Sequence, residues 1–308
     1  NSTCIDTNTY QNLIDIATNE FDFPFCSTVT GFDFERCNSI SSNNNNYDGQ
    51  SIYHYARSRN PCIHRDYMNL GVNGLSSQNL YPLTSSDGVI KVFTRDQQND
   101  RPGLVFLSLI GNDVCNKRTD AMTDPKKYKE SILQSLQYLN KQLPQGSYVF
   151  LGGLVDGRLL YNIMSKKRHP IRATYSQFYD YLNCQKTSPC AGWMNSDESI
   201  RDATTNHAHL LNNELVNIVK TSTFDNIKIY YNDIETKFNN IVKQWQNDGK
   251  DPSELIELTD GFHPSSIAQS QLAKRTIAWI ESFAPEVFPT NPHSDEIYKL
   301  FGAELNGY

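Results

Sequence analysis

Short apolar runs alternate along this chain with longer stretches in which apolar residues recur every three or four positions. Residues 103–110, 147–151 and 227–231 are the short runs, rich in Val, Ile, Leu, Phe and Tyr, and they read as strands. Between and after them the helical period takes over. Ile132, Leu133, Leu136 and Leu139 repeat at helical spacing to about Leu143. That helix opens at Thr123-Asp124-Pro125, a capping side chain with proline in the first turn, and stops before Pro144. Residues 203–220 form a second helix with Leu210, Leu211, Leu215, Ile218 and Val219 on one side, and residues 265–283 form a third. Residues 10–17 read as a short helix. Residues 39–48 are a polar low-complexity loop with nothing to bury. Strands alternating with helices predict an α/β fold: a parallel sheet with helices on both faces.

Composition narrows the function classes. At 308 residues the chain can bury a sizeable core, as one large or two small domains. A net charge of −6 leaves no dominant basic surface, which argues against nucleic acid as a partner. No apolar run approaches the roughly 18 residues of a membrane span, and no signal peptide opens the chain. A secreted protein would carry its targeting segment upstream of Asn1.

Three segments carry candidate chemistry. Asp260-Gly261-Phe262-His263-Pro264 sets an acid and an imidazole three residues apart on a turn. In Ser-His-Asp hydrolases such a carboxylate orients the imidazole, which deprotonates a serine. Gly111-Asn112-Asp113 follows the apolar run Val105–Ile110, so it sets an amide side chain at a strand's carboxyl end, where open α/β sheets build their sites. Asn69-Leu70-Gly71-Val72-Asn73-Gly74-Leu75-Ser76-Ser77 has glycines that let the backbone present an N–H to a ligand. A glycine N–H and an asparagine amide are donors suited to an oxyanion hole. Each segment also has an ordinary reading: loop chemistry for the first, a helix cap at Asn112 for the second, a plain turn for the third.

Together, Asn73-Gly74, Gly111-Asn112-Asp113 and Asp260-Gly261-Phe262-His263 resemble the later sequence blocks of the GDSL/SGNH hydrolases. Longer stretches resemble the acyloxyacyl hydrolase family within them: Thr18–Pro24, Cys62–Tyr67, Ile110–Cys115 and Leu182-Asn183-Cys184 through Cys190–Met194. Members of that family remove secondary fatty acyl chains from the lipid A of lipopolysaccharide. The resemblance implies one SGNH-type hydrolase domain over residues 1–308, truncated at its N-terminus. It implies His263 as general base, Asp260 as its orienter, and Gly74 N–H and the Asn112 amide as oxyanion donors. It further implies an acylated lipid or lipopolysaccharide as substrate, a small saposin-like segment of the same precursor as partner, and a secreted or endolysosomal setting. The chemistry calls for no metal. The family can carry structural calcium, but no loop here has EF-hand ligand spacing.

One departure stands out. The family's first block, Gly-Asp-Ser, carries the nucleophile, and this chain contains no Gly-Asp-Ser. The chain is read foremost as a fragment of a longer precursor, with a naturally inactive relative second. Takeover by another serine, Ser2 or Ser76, is the third reading, and a nucleophile at an untethered end suits it poorly. A non-catalytic lipid- or glycan-binding protein on a decayed scaffold is the alternative from another function class.

The seven cysteines fit an oxidising compartment. Cys184 and Cys190 flank a short loop that suits a local disulfide, and Cys62 and Cys115 each lie near a candidate block, so converging blocks could pair them. Cys4, Cys26 and Cys37 remain, and the odd count leaves one, foremost Cys4, free or paired outside the chain. Buried, reduced cysteines of a cytosolic protein are the alternative. There is no Cys-x-x-Cys, and His207-Ala208-His209 has the wrong spacing for two zinc ligands on one helix face. Lys166-Lys167-Arg168-His169 could hold an acidic headgroup or be a solvated loop, and Asp156 could face the site or cap a helix. Trp193 and Met194 could line an acyl groove or belong to the core.

Overall fold

The structure, a computed structural model, describes residues 26–32, 49–72, 74–81, 90, 95–116 and 118–301. The expected helix at 10–17 and the polar segment 39–48 lie outside the described residues, as do Ser2, Cys4, Cys37 and Asn73. The chain divides into two compact units, Leu70–Asn239 and a second made of Asn1–Asn69 with Asn240–Tyr308. The division falls within the helix Ile234–Asn247.

Among the described residues, the Leu70–Asn239 unit is built on three parallel strands, β1 (Leu104–Leu107), β2 (Ser147–Gly152) and β3 (Ile227–Asn232), in the order β1-β2-β3. All six residues of β2 are buried. Because successive side chains point to opposite faces, both faces of the central strand are covered, as a parallel sheet requires. The register aligns Phe106 with Phe150 and Phe150 with Tyr230. Their rings stack, with centroids 4.9 and 5.9 Å apart, so one aromatic rung crosses the whole sheet.

Helices carry the chain between the strands. After β1 come Ile110–Val114 and Pro125–Gln142; after β2 come Gly157–Met164, Tyr175–Cys184 and Glu198–Thr221. Pro125–Gln142 starts where the sequence predicts: the Asp124 carboxylate accepts from Lys126 N and Lys127 N at 3.0 and 3.2 Å. Its Ile132, Leu136 and Leu139 are buried. Two expectations change. The first strand ends at Leu107, and Ile110-Gly111-Asn112-Asp113 coils into a helical turn. Gly, Asn and Asp are poor strand formers, and hydrogen bonds described below hold that turn. Leu210 faces solvent at 52% exposure, because Ala208, Leu211, Leu215 and Ile218 make the buried stripe and Leu210 falls off it.

The cysteine pairing also differs from the local disulfide expected. Cys190 is bonded to Cys115, 75 residues away, not to Cys184. Cys190 is fully buried, whereas Cys184 ends its helix in solvent with a free thiol. Ala191 N–H donates to Asn116 O at 3.0 Å, which holds the Cys190 loop along the segment after Cys115. Nor do Cys62 and Cys115 pair: Cys115 is taken by Cys190, and Cys62 is free and exposed, with Asn291 Nδ2 3.1 Å from its sulfur. Cys26 is disulfide-bonded as well.

In the second unit, early and late parts of the chain are tied together. Thr28 N–H donates to Gln269 Oε1 at 3.2 Å, Gln50 N–H to Ser270 Oγ at 2.9 Å, and Asn291 N–H to Arg59 O at 2.9 Å. The helix Ile52–Arg59 packs on Ser266–Glu281, whose Ala268, Leu272, Ala273, Ile277 and Ile280 are buried. No described helix is long and apolar enough to cross a membrane.

Candidate active site

The acid–imidazole pair is built by one loop of the second unit. Asp260 Oδ1 accepts the backbone N–H groups of Phe262 and His263 at 2.8 and 3.1 Å, an Asx turn that fixes its carboxylate. Gly261 takes φ +67°, a left-handed conformation that favours glycine, which explains the Asp-Gly step. Gly261 N–H donates to Glu257 O and Glu257 N–H to His263 O, so the loop closes on itself. Ser265 then caps the helix Ser266–Glu281, and its hydroxyl donates to Glu254 O at 2.7 Å. The other carboxylate oxygen, Oδ2, bonds His263 Nδ1. Asp260 is buried and the imidazole is about a third exposed, which is the polarity of an orienter behind a base. With Nδ1 as the donor, the lone pair of a neutral imidazole is on Nε2.

The candidate oxyanion donors are built within the Leu70–Asn239 unit. Gly74 is exposed, has φ +76° and has open space where a Cβ would sit. Asn112 is on the helical turn Ile110–Val114, whose N-terminal cap is Leu109, so the asparagine does not cap this helix. Its amide donates to Leu75 O at 3.0 Å. An amide nitrogen has two hydrogens, and this bond uses one of them. Asp113, next in sequence, is fully buried and accepts Ser77 N–H at 2.9 Å and Ser77 O–H at 2.7 Å. Asn112 and Asp113 therefore grip Leu75 and Ser77, and Gly74 directly precedes that gripped segment. Burial pushes the Asp113 carboxyl above the usual range, against the pull of its bonds to Ser77 and Thr123.

The remaining candidates sort clearly. Ser76 Oγ is engaged with Asn79 Oδ1 at 2.9 Å at the start of the short helix Ser77–Leu80. Asp156 caps Gly157–Met164 through Arg158 N at 2.9 Å, and it is further held by the Arg158 guanidinium and the Thr205 hydroxyl. Trp193 and Met194 are core, with Trp193 Nε1 donating to Thr205 Oγ1 at 2.9 Å. In the basic run, Lys166 and Arg168 are exposed, but His169 is buried and stacked on Phe178 at 4.2 Å. His207 Nε2 lies 2.8 Å from Thr123 O, and His209 faces Glu235 at 3.3 Å. At the carboxyl end of β3, burial pushes the Lys237 ammonium down to about 8, and its Nζ donates to Asn232 Oδ1 at 2.7 Å.

Among the described residues no three His, Cys, Asp or Glu side chains cluster so as to hold a metal ion. Sequence reasoning passed over Asp113 and Ser77 as partners. A carboxylate three residues past an apolar run was the available signal, since a buried charge demands donors.

A parallel sheet alternating with helices, with an Asp–His pair later in the chain, fits the α/β fold class of the GDSL/SGNH-type hydrolases. The chain belongs to the GDSL-like lipase/acylhydrolase family, which it matches over residues 27–276. It is similar to the acyloxyacyl hydrolase of Mus musculus, with 37% identity over 307 residues, 97% of this chain and 51% of that protein. The Oryctolagus cuniculus acyloxyacyl hydrolase is 37% identical over 308 residues, 97% of this chain and 51% of that one. The Homo sapiens protein of the same name is 37% identical over 304 residues, 96% and 50%. The chain thus spans about half the length of these curated relatives.

Proposed function

We propose that this chain is the larger catalytic part of a serine acyl-ester hydrolase of acyloxyacyl hydrolase type. Its substrates are fatty acyl esters of lipopolysaccharide lipid A or related acylated lipids. The observation that carries the reading is the Asp260–His263 pair, with a buried carboxylate on Nδ1 of a part-exposed imidazole. Similarity to three acyloxyacyl hydrolases supports the substrate class. In this reading a serine outside these 308 residues attacks the ester carbonyl. His263 Nε2 takes its proton, and Asp260 stabilises the imidazolium that results. The tetrahedral oxyanion is met by Gly74 N–H and the Asn112 amide. Collapse expels the alcohol, which takes the proton back from His263, and water repeats the cycle on the acyl-enzyme. The chemistry needs no cofactor. The disulfide Cys115–Cys190 supports a secreted or endolysosomal location. A small saposin-like segment of the same precursor, which would present lipid, belongs to the same proposal.

The test compares this chain with the full-length protein on a short-chain p-nitrophenyl ester and on acylated lipopolysaccharide. The coding sequence upstream of Asn1 is read first, for a strand-like run ending in Gly-Asp-Ser. The expected result is turnover by the full-length protein, blocked by a serine-directed phosphonate, and none by the 308-residue chain. A full-length protein that binds acylated lipid without hydrolysing any ester would support instead the non-catalytic binder. Phosphonate-sensitive turnover by the 308-residue chain would place the nucleophile inside it.

A further inference from the structure

The Leu70–Asn239 unit spends a fully buried carboxylate on a place where nothing ionises in the proposed reaction. Asp113 Oδ2 accepts Ser77 N–H at 2.9 Å and Oδ1 accepts Ser77 O–H at 2.7 Å, and Ser77 is itself fully buried. The neighbouring Asn112 amide donates to Leu75 O at 3.0 Å. Two adjacent side chains on one helical turn thus hold two alternate residues of the facing segment. Asp113 is anchored from behind: its backbone C=O accepts Thr123 N–H at 2.8 Å, and Thr123 O lies 2.8 Å from His207 Nε2 on the helix Glu198–Thr221. Just outside the grip, Gly71, Val72 and Gly74 are exposed, and Gly74 takes its left-handed turn with open space beside it. The turn that carries the Gly74 N–H is therefore located from its C-terminal side, by Leu75 and Ser77.

We propose that Asp113 is a positioning residue, which sets the spacing between Gly74 N–H and the Asn112 amide by clamping Ser77 to the turn that carries Asn112. The inference rests on the oxyanion reading given above and adds to it the residue that makes two separate donors act as one hole. Donors must stand at about hydrogen-bond distance from where the oxyanion forms, and a misplacement of about 1 Å can cost roughly 10²-fold in rate. The burial that raises the carboxyl's pKa is consistent with this role, since Asp113 sits there against its own solvation.

The experiment is a double-mutant cycle in the full-length enzyme, with kcat, KM and folded fraction measured for Asp113→Ala, Asn112→Ala and the pair. Asp113→Ala should lower kcat by about 10²-fold with KM within about threefold. In the Asn112→Ala background the same change should cost no more than about threefold, because the hole is already broken. Asp113→Asn should recover most of kcat: its amide oxygen can accept Ser77 N–H while its NH2 donates to Ser77 Oγ. Should Asp113→Ala not fold, Ser77→Ala removes the hydroxyl arm alone and should show the same kcat-specific loss in smaller measure. An active wild type whose Asp113→Ala keeps normal kcat per folded molecule overturns the positioning role alone. A double mutant whose loss is the product of the two single losses does the same. An inactive full-length wild type overturns the functional reading, and this role with it.

Discussion

The Asn112 amide has one observed tie and one proposed role, and the two separate by measurement. One hydrogen ties Leu75 O; the proposed second reaches the oxyanion. In the full-length enzyme, Asn112→Ala should lower kcat by about 10²–10³-fold with KM little changed. Loss of the Leu75 tie should cost only about 1 kcal/mol of stability. If kcat per folded molecule stays within about threefold of wild type, Asn112 is a structural tie and no more. Lys237 makes a pH prediction. Its folded pKa, pushed by burial to about 8, lies below the ordinary 10.5, so the folded state binds fewer protons than the unfolded between those values. Stability on its account should rise as pH climbs through that window. Lys237→Met should therefore gain most relative to wild type below pH 8, and the gain should shrink towards pH 10.5. Melting temperatures of both proteins at pH 7, 9 and 10.5 check this; a constant gap would mean that Lys237 does not titrate there.

At the scale of elements, one very short helix is held by several separate ties. Five residues, Ile110–Val114, cannot sustain a helix by themselves. Asp113 ties the turn to Ser77, Asn112 ties it to Leu75, and Cys115 at its end is bonded to Cys190. Removing a native disulfide typically costs about 2–5 kcal/mol. Cys115→Ser should fall in that range by denaturant melts, and Cys190→Ser should match it. A much larger difference between the two would show that one sulfur packs for reasons other than the bond. The strands and the long helices were legible because their periods are unambiguous: Pro125–Gln142 has its cap, its proline and its stripe in plain order. The turn at Ile110 was not. Its apolar lead-in reads as a continuing strand, and only contacts with residues 35 or so positions earlier make it a helix. The disulfide was misread for a related reason. Spacing favoured Cys184–Cys190, but a helix end directs Cys184 outward, and burial selects Cys115.

Across the whole molecule, the contact between Asp260 and His263 was legible in the sequence, and the ties around Gly74 and Asn112 were not. The Asp260–His263 pair sits within four residues, so sequence alone could pose it, and the left-handed Gly261 and the Asx turn build it locally. The clamp of Asp113 on Ser77 spans 36 residues and has no local signature. That contrast is physical: contacts closed by one turn are written in adjacent residues, while contacts closed by a fold are not.

The Cys115–Cys190 bond has a consequence for how this molecule meets proteases. It closes a covalent ring around all of β2 and around the helices Pro125–Gln142, Gly157–Met164 and Tyr175–Cys184. A single backbone cut anywhere inside that ring severs the polypeptide without separating its halves. The nicked chain would travel as one band until a reductant is added and as two afterwards. In a compartment rich in proteases, a nick at an exposed loop inside the ring would be a scar rather than a loss.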